Sequence, residues 1–556
     1  MLHRFSTSFF ALAITVALSL PQAAKAGDKD SAPLQKKDII EAVDGTNLTM
    51  LTIPELLEQL GNGTLTSEAL VQAYLERIEA LDRNGPKLQS IIAVMTDPIT
   101  QARARDAERI AGNVRGPLHG IPIIIKDNIE ASGPMPTTAG SYALINNVTN
   151  RDAPLVARLK AAGAIILAKA NLSQWANIRS NNSTSGWSSI GGLVRNPYAL
   201  DRNSCGSSSG SGAAAAAGLG AGAIGTETDG SITCPASTNG VVGFKPTVGM
   251  VSRTHVVPIS HSQDTAGPMT RSVTGAAHIL TAIAGSDPAD RATAQADQYR
   301  TDFAAGLSDG YLKGVRIGVM RDRIGDQAKT SAIFDEALKD LEKAGAVLVD
   351  IADSRSMFEG LGEAEFEVLM TELKADMNSY LASLPGTVES RTLADLIAYN
   401  KAHAATEMPF FGQELFELAQ SKGDLDSEAY VKALEKARTT AGPGIDKLLA
   451  DHDVQFLIGP TRGPAWLSDL VNSDSFSGPS QSQIAAVAGY PHLTVPMGFV
   501  EGLPVGISFI GTQWSDHAVL KAGYAYEQAS KKFRAPMFPP TLPLNKGPLP
   551  LERQPQ

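Results

Sequence analysis

The fold class follows from one stretch of the sequence, Ile121-Pro122-Ile123-Ile124-Ile125-Lys126-Asp127-Asn128. Its short β-branched run predicts a buried strand. A lysine that ends such a strand is unusual, because lysines are almost never fully buried without a partner or a task. Burial disfavours the ammonium form and lowers the pKa of the amine, which would make Lys126 a usable base. For this stretch alone, an exposed lysine at a strand end is the alternative.

Predicted helices and strands alternate on the carboxyl side of this strand. A helix at 155–159 precedes a strand at 163–167, and the alanine run 213–217 favours a helix. The alternation predicts an α/β fold with a mixed β-sheet core covered by helices on both faces. Residues 356–450 predict an additional helical lobe. Further strands are predicted at 315–320, 346–349, 456–460, 492–498 and 505–509, and a further helix at 331–344.

One large domain is predicted over residues 51–540. It begins with a helix, because Thr52 and Glu55 have the spacing of a capping box. Residues 27–50 form a polar lead-in before this helix, and residues 541–556 form a C-terminal tail.

The first 26 residues predict a signal peptide. A weakly positive start is followed by the apolar stretch 9–20 and by Ala24-Lys25-Ala26, which has the A-x-A form of a cleavage site. The apolar stretch is shorter than the roughly 20 residues that a membrane-spanning helix needs. A membrane anchor is the alternative. We therefore expect an exported protein, periplasmic or secreted, without stable membrane association after signal cleavage.

Charge and cysteine content exclude several classes of function. The chain has a net charge of −10 and contains no run rich in lysine and arginine, so we expect no nucleic-acid partner. Its two cysteines, Cys205 and Cys234, are too few for a disulfide scaffold or a cysteine-based zinc site. They could pair in an oxidising compartment, but we expect two buried free thiols.

Three glycine motifs lack the context that would give them their usual meaning. Residues 206–210 and 306–310 match G-x-S-x-G, which marks a nucleophile elbow only between a strand and a following helix. Residues 201–204 predict no strand before the first match, and a strand follows the second. The G-x-G-x-x-G match at 220–225 follows a predicted helix, so no dinucleotide site is expected.

Two segments rich in glycine and serine carry the candidate chemistry. They are Cys205-Gly206-Ser207-Ser208-Ser209-Gly210-Ser211-Gly212-Ala213 and Gly225-Thr226-Glu227-Thr228-Asp229-Gly230-Ser231-Ile232. Small residues around Ser231 leave room for a substrate carbonyl and let successive backbone N–H groups point one way, as an oxyanion hole requires. Each segment alone would more often be an ordinary turn or helix cap.

Taken together, these segments resemble the amidase signature family, over roughly residues 48–535. Lys126, Ser207 and Ser231 match three anchors of the family in order, and the 24-residue separation of the two serines is the family's usual one. The sequence departs from the family at Cys205 and Asp229, where glycine is common. Asp229 puts an acidic side chain beside the oxyanion loop.

The resemblance implies a mechanism and a set of site residues. Ser231 would attack the amide carbonyl, and Ser207 would pass the proton to a neutral Lys126. In the family, the residue that corresponds to Ser207 follows a cis peptide bond. The oxyanion would be held by the backbone of Thr228, Asp229, Gly230 and Ser231. Neither a metal ion nor an organic cofactor is implied.

Within the family, three further motifs are similar to the bacterial peptide amidases, which remove the C-terminal amide of peptides. They are Trp175-Ala176-Asn177-Ile178-Arg179, Ser185-Gly186-Trp187-Ser188 and Phe411-Gly412-Gln413-Glu414-Leu415. The expected substrate is therefore a peptide amide or another small amide, with release of ammonia. The alternatives are a general amidase or esterase of the same family and, more remotely, an exported solute-binding protein.

Overall fold

A computed structural model describes residues 48–542 of the chain. The predicted signal peptide at 1–26 lies outside the described residues. So do all but the last three residues of the predicted lead-in and all but the first two of the predicted tail.

Eleven strands of the described chain form one mixed sheet, in the order β1-β3-β2-β8-β10-β9-β14-β15-β13-β11-β12. β2 pairs in parallel with both β3 and β8, so the carboxyl ends of these three strands meet at one edge. Two short ribbons, β4-β5 and β6-β7, lie outside this sheet. The strands are β1 (Ile91–Val94), β2 (Pro122–Lys126), β3 (Ile165–Ala170), β4 (Trp187–Ser188), β5 (Gly192–Leu193), β6 (Arg195–Asn196), β7 (Ala199–Asn203), β8 (Gly222–Glu227), β9 (Val242–Lys245), β10 (Thr265–Thr270), β11 (Arg316–Met320), β12 (Val347–Ile351), β13 (Phe456–Pro460), β14 (His492–Val500) and β15 (Leu503–Ile510).

Helices flank the large sheet, which confirms the predicted α/β fold class. The α-helices of the described chain are α1 (Ile53–Gly61), α2 (Ser67–Arg77), α3 (Pro98–Ile110), α4 (Pro154–Ala161), α5 (Ser209–Ala217), α6 (Thr233–Thr238), α7 (Val273–Ile283), α8 (Ala296–Tyr299), α9 (Ala328–Lys343), α10 (Leu361–Ala382), α11 (Leu393–Ala402), α12 (Ala404–Glu407), α13 (Glu414–Ser421), α14 (Glu428–Asp451), α15 (Ser482–Ala488) and α16 (Asp516–Ser530). Thr52 caps α1 in the predicted capping box with Glu55. Within residues 48–542, no helix combines the length and apolar character needed to cross a membrane.

The strand that carries Lys126 is buried along its whole length. Ile123, Ile124 and Ile125 have no exposed surface, and they belong to the largest hydrophobic cluster of the chain. Burying each of these side chains contributes about 1.5–3 kcal/mol. Because both neighbours of β2 are strands, its last residue has little route to solvent.

Five of the helices, α10 to α14, follow one another between β12 and β13. They cover residues 361–451, close to the range 356–450 in which the sequence predicts a helical lobe. Apolar residues of α10, α11 and α13 form a cluster with Ala139, Leu144 and Trp175 from the part of the chain that carries β2 and β3. The lobe thus packs directly against the segment that precedes Ser207.

The prediction that residues 201–204 contain no strand is wrong for most of this segment. β7 pairs antiparallel with β6, although its polar composition has low strand propensity. Tertiary contacts hold it in place: Asn203 N donates to Trp466 O at 2.8 Å, and Asn203 Nδ2 donates to Ser185 O at 2.9 Å. These partners lie far away in the sequence, so local pattern does not reveal them.

Candidate active site

The amine of Lys126 contacts two hydroxyl groups at the end of β2. Its Nζ lies 2.7 Å from Ser207 Oγ and 2.8 Å from Thr226 Oγ1. Asn128 Nδ2 donates to the same Thr226 oxygen at 3.0 Å, so that hydroxyl is held from two sides. Lys126 is fully buried, and the alternative of an exposed lysine at a strand end is therefore wrong.

Burial changes the acid–base chemistry of this amine. Removal from water lowers the pKa of Lys126 from its ordinary value of 10.5 to about 7. Asp264 and Glu227 act in the opposite direction, because their negative charge favours the ammonium form, but burial outweighs them. A large share of the Lys126 side chains is consequently neutral near pH 7, as a proton acceptor must be.

Ser207 lies in a sharp turn between β7 and α5. The Gly206–Ser207 peptide bond is cis, as the resemblance implies, and Cys205 adopts a φ of 54°. The Ser207 side chain is only 1 % exposed. Ser208, the central residue of the G-x-S-x-G match, donates its hydroxyl to Thr226 O at 3.0 Å. That hydrogen bond gives Ser208 a structural role and excludes the elbow interpretation of the motif.

Ser231 lies in the loop between β8 and α6. Its carbonyl accepts a hydrogen bond from Ser208 N at 3.1 Å, which brings the two serine segments side by side. Gly230 has a φ of 77°, in the left-handed region that favours glycine. A Cβ atom at this position would lie 3.0 Å from Ser482 Oγ, so a side chain is disfavoured by space as well.

A cavity of about 290 Å³ opens onto this loop. All four predicted oxyanion residues line it, namely Thr228, Asp229, Gly230 and Ser231. Just before the loop, Glu227 accepts hydrogen bonds from Ile232 N at 2.8 Å and from Thr233 N at 2.9 Å. This buried carboxylate caps the start of α6, so both ends of the loop are fixed.

A neighbouring cavity of about 370 Å³ shares three wall residues with the first, Ala176, Thr228 and Ile259. It also touches Asn128 and Thr226, the groups around the Lys126 amine. Ser231, the predicted nucleophile, lines only the smaller of these two cavities. The shared walls place free space on two sides of the same backbone loop.

Sequence reasoning did not identify two residues that hold this arrangement together. Thr226 fixes the Lys126 amine, and Asp264 accepts a hydrogen bond from Thr228 Oγ1 at 2.5 Å. Asp264 also accepts from the backbone N–H groups of Ile259 and Ser260, at 2.8 and 3.0 Å. Thr226 belongs to the glycine- and serine-containing segment 225–232, whereas Asp264 lies in a stretch that matches no recognised sequence motif.

The two cysteines form a disulfide, so the expectation of two free thiols is wrong. Cys205 and Cys234 have Cα atoms 6.0 Å apart, within the range that a disulfide spans. Cys205 precedes Ser207 by two residues, and Cys234 follows Ser231 by three. The bond therefore links the two serine segments covalently, and Trp466 packs against it.

One carboxyl group, that of Asp229, belongs to the predicted oxyanion loop, and a second, that of Glu365, stands close to it. Burial and the proximity of Asp229 raise the pKa of Glu365, which comes from α10. The pKa of Asp229 is also raised, mainly by desolvation, although its hydrogen bond with Ser482 lowers it in part. The Asp229 side chain is exposed and lines the cavity, so contact with solvent reduces this shift.

The three motifs that resemble peptide amidases meet in one aromatic cluster between the lobe and the sheet domain. The ring centroids of Trp187 and Phe411 are 5.2 Å apart, and those of Trp175 and Phe416 are 5.8 Å apart. The Arg179 guanidinium lies 4.5 Å from the centre of the Phe411 ring. These residues therefore set the position of the lobe relative to the site.

One group of potential metal ligands occurs among residues 48–542, formed by His261, Glu372 and Asp376. Its members already contact one another: His261 Nδ1 lies 2.9 Å from Asp376 Oδ2, and Nε2 lies 3.2 Å from Glu372 Oε1. The hydrogen bond with Asp376 raises the pKa of His261. An ion-paired histidine explains this group without a metal ion.

Comparison with known proteins identifies the family. The amidase family model matches residues 69–520. The peptide amidase of Stenotrophomonas maltophilia is 48 % identical, with a TM-score of 0.82 over 88 % of this chain and 98 % of that one. A peptide amidase in complex with the competitive inhibitor chymostatin is also 48 % identical, with a TM-score of 0.84 over 87 % of this chain and 98 % of that one. A probable amidase of Arabidopsis thaliana is 39 % identical over 88 % of this chain and 91 % of its own length.

These matches agree with the geometry of the site. They exclude the alternative of a solute-binding protein, because the family model over residues 69–520 is that of an amidase. The chain belongs to the amidase signature family, is similar to bacterial peptide amidases, and is a hydrolase of the C–N bonds of linear amides.

Proposed function

We propose that this enzyme hydrolyses the C-terminal amide of peptides through Ser231, Ser207 and Lys126. The single observation that carries the proposal is the 2.7 Å contact between the Lys126 amine and the Ser207 hydroxyl in a buried environment. The likeness to peptide amidases at 48 % identity supports the choice of substrate.

The proposed reaction runs through an acyl-enzyme. Ser231 Oγ attacks the amide carbon while its proton moves to Ser207 Oγ, and the Ser207 proton moves to neutral Lys126. The developing negative charge on the carbonyl oxygen is held by backbone N–H groups of residues 228–231. The relay then returns a proton to the leaving nitrogen, the C–N bond breaks, and ammonia departs. Water hydrolyses the ester of Ser231 and yields the peptide acid.

The test compares substrates and one variant. Ammonia release is measured from an N-acylated dipeptide amide and from a simple aliphatic amide, with wild-type enzyme and with Ser231→Ala. We expect faster turnover of the peptide amide, and loss of at least about 10³-fold in the variant. Residual activity close to wild type would refute the nucleophile. Equal or faster turnover of the aliphatic amide would replace the proposal by a general small-carboxamide amidase.

We also propose that the protein is exported. The sequence pattern of residues 1–26 supports this, and so does the Cys205–Cys234 disulfide, because disulfides persist in oxidising compartments. N-terminal sequencing of the purified natural protein should begin at Gly27. An N-terminus at Met1 would refute cleavage.

A further inference from the structure

We propose that Gln263 is a positioning residue that orients the oxyanion loop. This inference rests on the proposed function, since it takes Ser231 as the nucleophile and its loop as the oxyanion site. Gln263 is 2 % exposed and stands immediately before Asp264, which holds the Thr228 hydroxyl. It contributes to neither of the two cavities around the loop.

Gln263 uses both hydrogens of its side-chain amide. Its Nε2 donates to Thr228 O at 3.2 Å and to Glu365 Oε1 at 2.9 Å. A primary amide nitrogen carries only two hydrogens, so both are committed. One side chain thereby connects the first residue of the oxyanion loop to α10 of the lobe.

The consequence follows from the planarity of the peptide bond. In a trans peptide, the carbonyl of one residue and the N–H of the next point in opposite directions. Gln263 holds the Thr228 carbonyl on the side away from the cavity, and the Asp229 N–H is therefore directed toward the cavity side. Asp229 and Thr228 line the Ser231 cavity, whereas Gln263 does not, which agrees with this orientation.

The partners of Gln263 are themselves fixed. The second oxygen of Glu365 accepts from Gln483 Nε2 at 2.9 Å, and Gln483 belongs to α15. The Thr228 side chain is held separately by Asp264. Without Gln263, the carbonyl of Thr228 would lose its partner while its hydroxyl stayed in place. The peptide plane between Thr228 and Asp229 could then rotate and turn an N–H donor away from the oxyanion.

The test uses two variants and a matched control. Gln263→Met keeps the size of the side chain but removes both donated hydrogens, and Gln263→Asn is too short to reach both acceptors. The control is Asn147→Leu, because Asn147 is a buried amide, 1 % exposed, whose Nδ2 likewise donates to a backbone carbonyl and to a side chain of α10, at 2.9 Å to Thr137 O and at 3.1 Å to Tyr380 Oη. For each protein we measure kcat and KM with a peptide amide, the rate of Ser231 labelling by a fluorophosphonate, and the melting temperature.

Complete loss of an oxyanion donor lowers the rate by about 10²–10³-fold. In the Gln263 variants the donor is misaligned but still present, so we expect a smaller fall in kcat, of about 10- to 100-fold. KM should change by less than about threefold, because the carbonyl oxygen gains most of its charge in the transition state. Labelling of Ser231 should slow by a similar factor, since phosphonylation also builds charge on an oxygen in the same place. The control should lose melting temperature but keep kcat.

The inference is overturned if either folded Gln263 variant keeps kcat within about threefold of wild type, or if the control loses kcat to the same extent. Failure of the inference is distinguishable from failure of the proposed function. An inactive Ser231→Ala with normal Gln263 variants rejects only the positioning role, whereas an active Ser231→Ala rejects both.

Discussion

Lys126 Nζ and Ser207 Oγ lie 2.7 Å apart, and neither side chain is more than 1 % exposed. A proton can pass from the hydroxyl to the amine only while the amine has a free lone pair. Burial supplies this state by lowering the pKa of Lys126 to about 7. Under the proposed mechanism, the same buried contact should control both the pH dependence of the reaction and a part of the stability of the fold.

The loss of activity at low pH should reflect protonation of the Lys126 amine. Because only neutral Lys126 accepts a proton, kcat/KM for a peptide amide should fall about tenfold per pH unit below about pH 7 and level off above it. Asp229, whose pKa is also raised, provides the control: Asp229→Asn should leave this limb in place. A limb near the ordinary lysine pKa of 10.5, or a flat profile through neutral pH, would contradict the assignment.

Replacing Lys126 should abolish turnover and yet favour the folded state at low pH. The folded-state pKa of Lys126 lies below its unfolded value, so burial of this amine lowers the free energy of unfolding. This loss of stability is complete below about pH 7 and disappears as pH rises toward 10.5. The melting temperature of Lys126→Met relative to wild type should therefore increase as pH falls from about 10 to about 6. Thermal unfolding at both pH values checks this. A relative stability that is independent of pH would mean that the amine is charged in the folded protein.

Gly230→Ala should damage the reaction more than the fold. The variant places a methyl group 3.0 Å from Ser482 Oγ in a residue with a φ of 77°. We expect kcat to drop by about 10- to 100-fold as the oxyanion loop shifts. Gly63→Ala is the control, because Gly63 has the same φ of 77° and no neighbour within 4 Å of its added Cβ. Similar losses of kcat in both variants would show that backbone strain alone explains the effect.

Removal of the disulfide should lower stability. The bond closes a segment with a sequence separation of 29, which corresponds to roughly 3–4 kcal/mol of unfolding free energy in the chain-entropy model. The double variant Cys205→Ser/Cys234→Ser should therefore unfold at lower denaturant concentration than oxidised wild type. Reduced wild type provides the matched comparison. An unchanged unfolding midpoint in both would contradict a stabilising role for the bond.

The sequence predicts the α/β class and the residues that meet at the carboxyl edge of the sheet. Strand β2, the lysine at its end and a helix over the alanine run 213–217 follow from composition, although the helix begins earlier, at Ser209. The match to family anchors then brings Ser207 and Ser231 into the same site. The structure places Ser207 against Lys126 and Ser231 in the adjoining cavity.

The features that the sequence did not predict share a physical cause, which is contact between parts of the chain that are distant in sequence. β7 exists because Trp466 and Ser185 supply hydrogen bonds to a segment with weak strand propensity. The disulfide requires two Cα atoms to lie 6.0 Å apart, a distance that spacing along the chain does not give. Gln263 meets Glu365, 102 residues away, through a lobe helix whose packing no local pattern specifies.

The wall of the Ser231 cavity is assembled from segments that lie far apart in the chain. Residues 126–264 contain the proposed relay and the predicted oxyanion loop, whereas Leu369 of α10 and Arg462 and Phe476 of a later loop complete the cavity wall. Substitutions at these three wall positions would change the shape of the cavity without replacing Lys126, Ser207 or Ser231. Homologues that keep these three residues can therefore differ in the amides that they accept. Exchanging the later segments between such homologues is a route to new amide specificities.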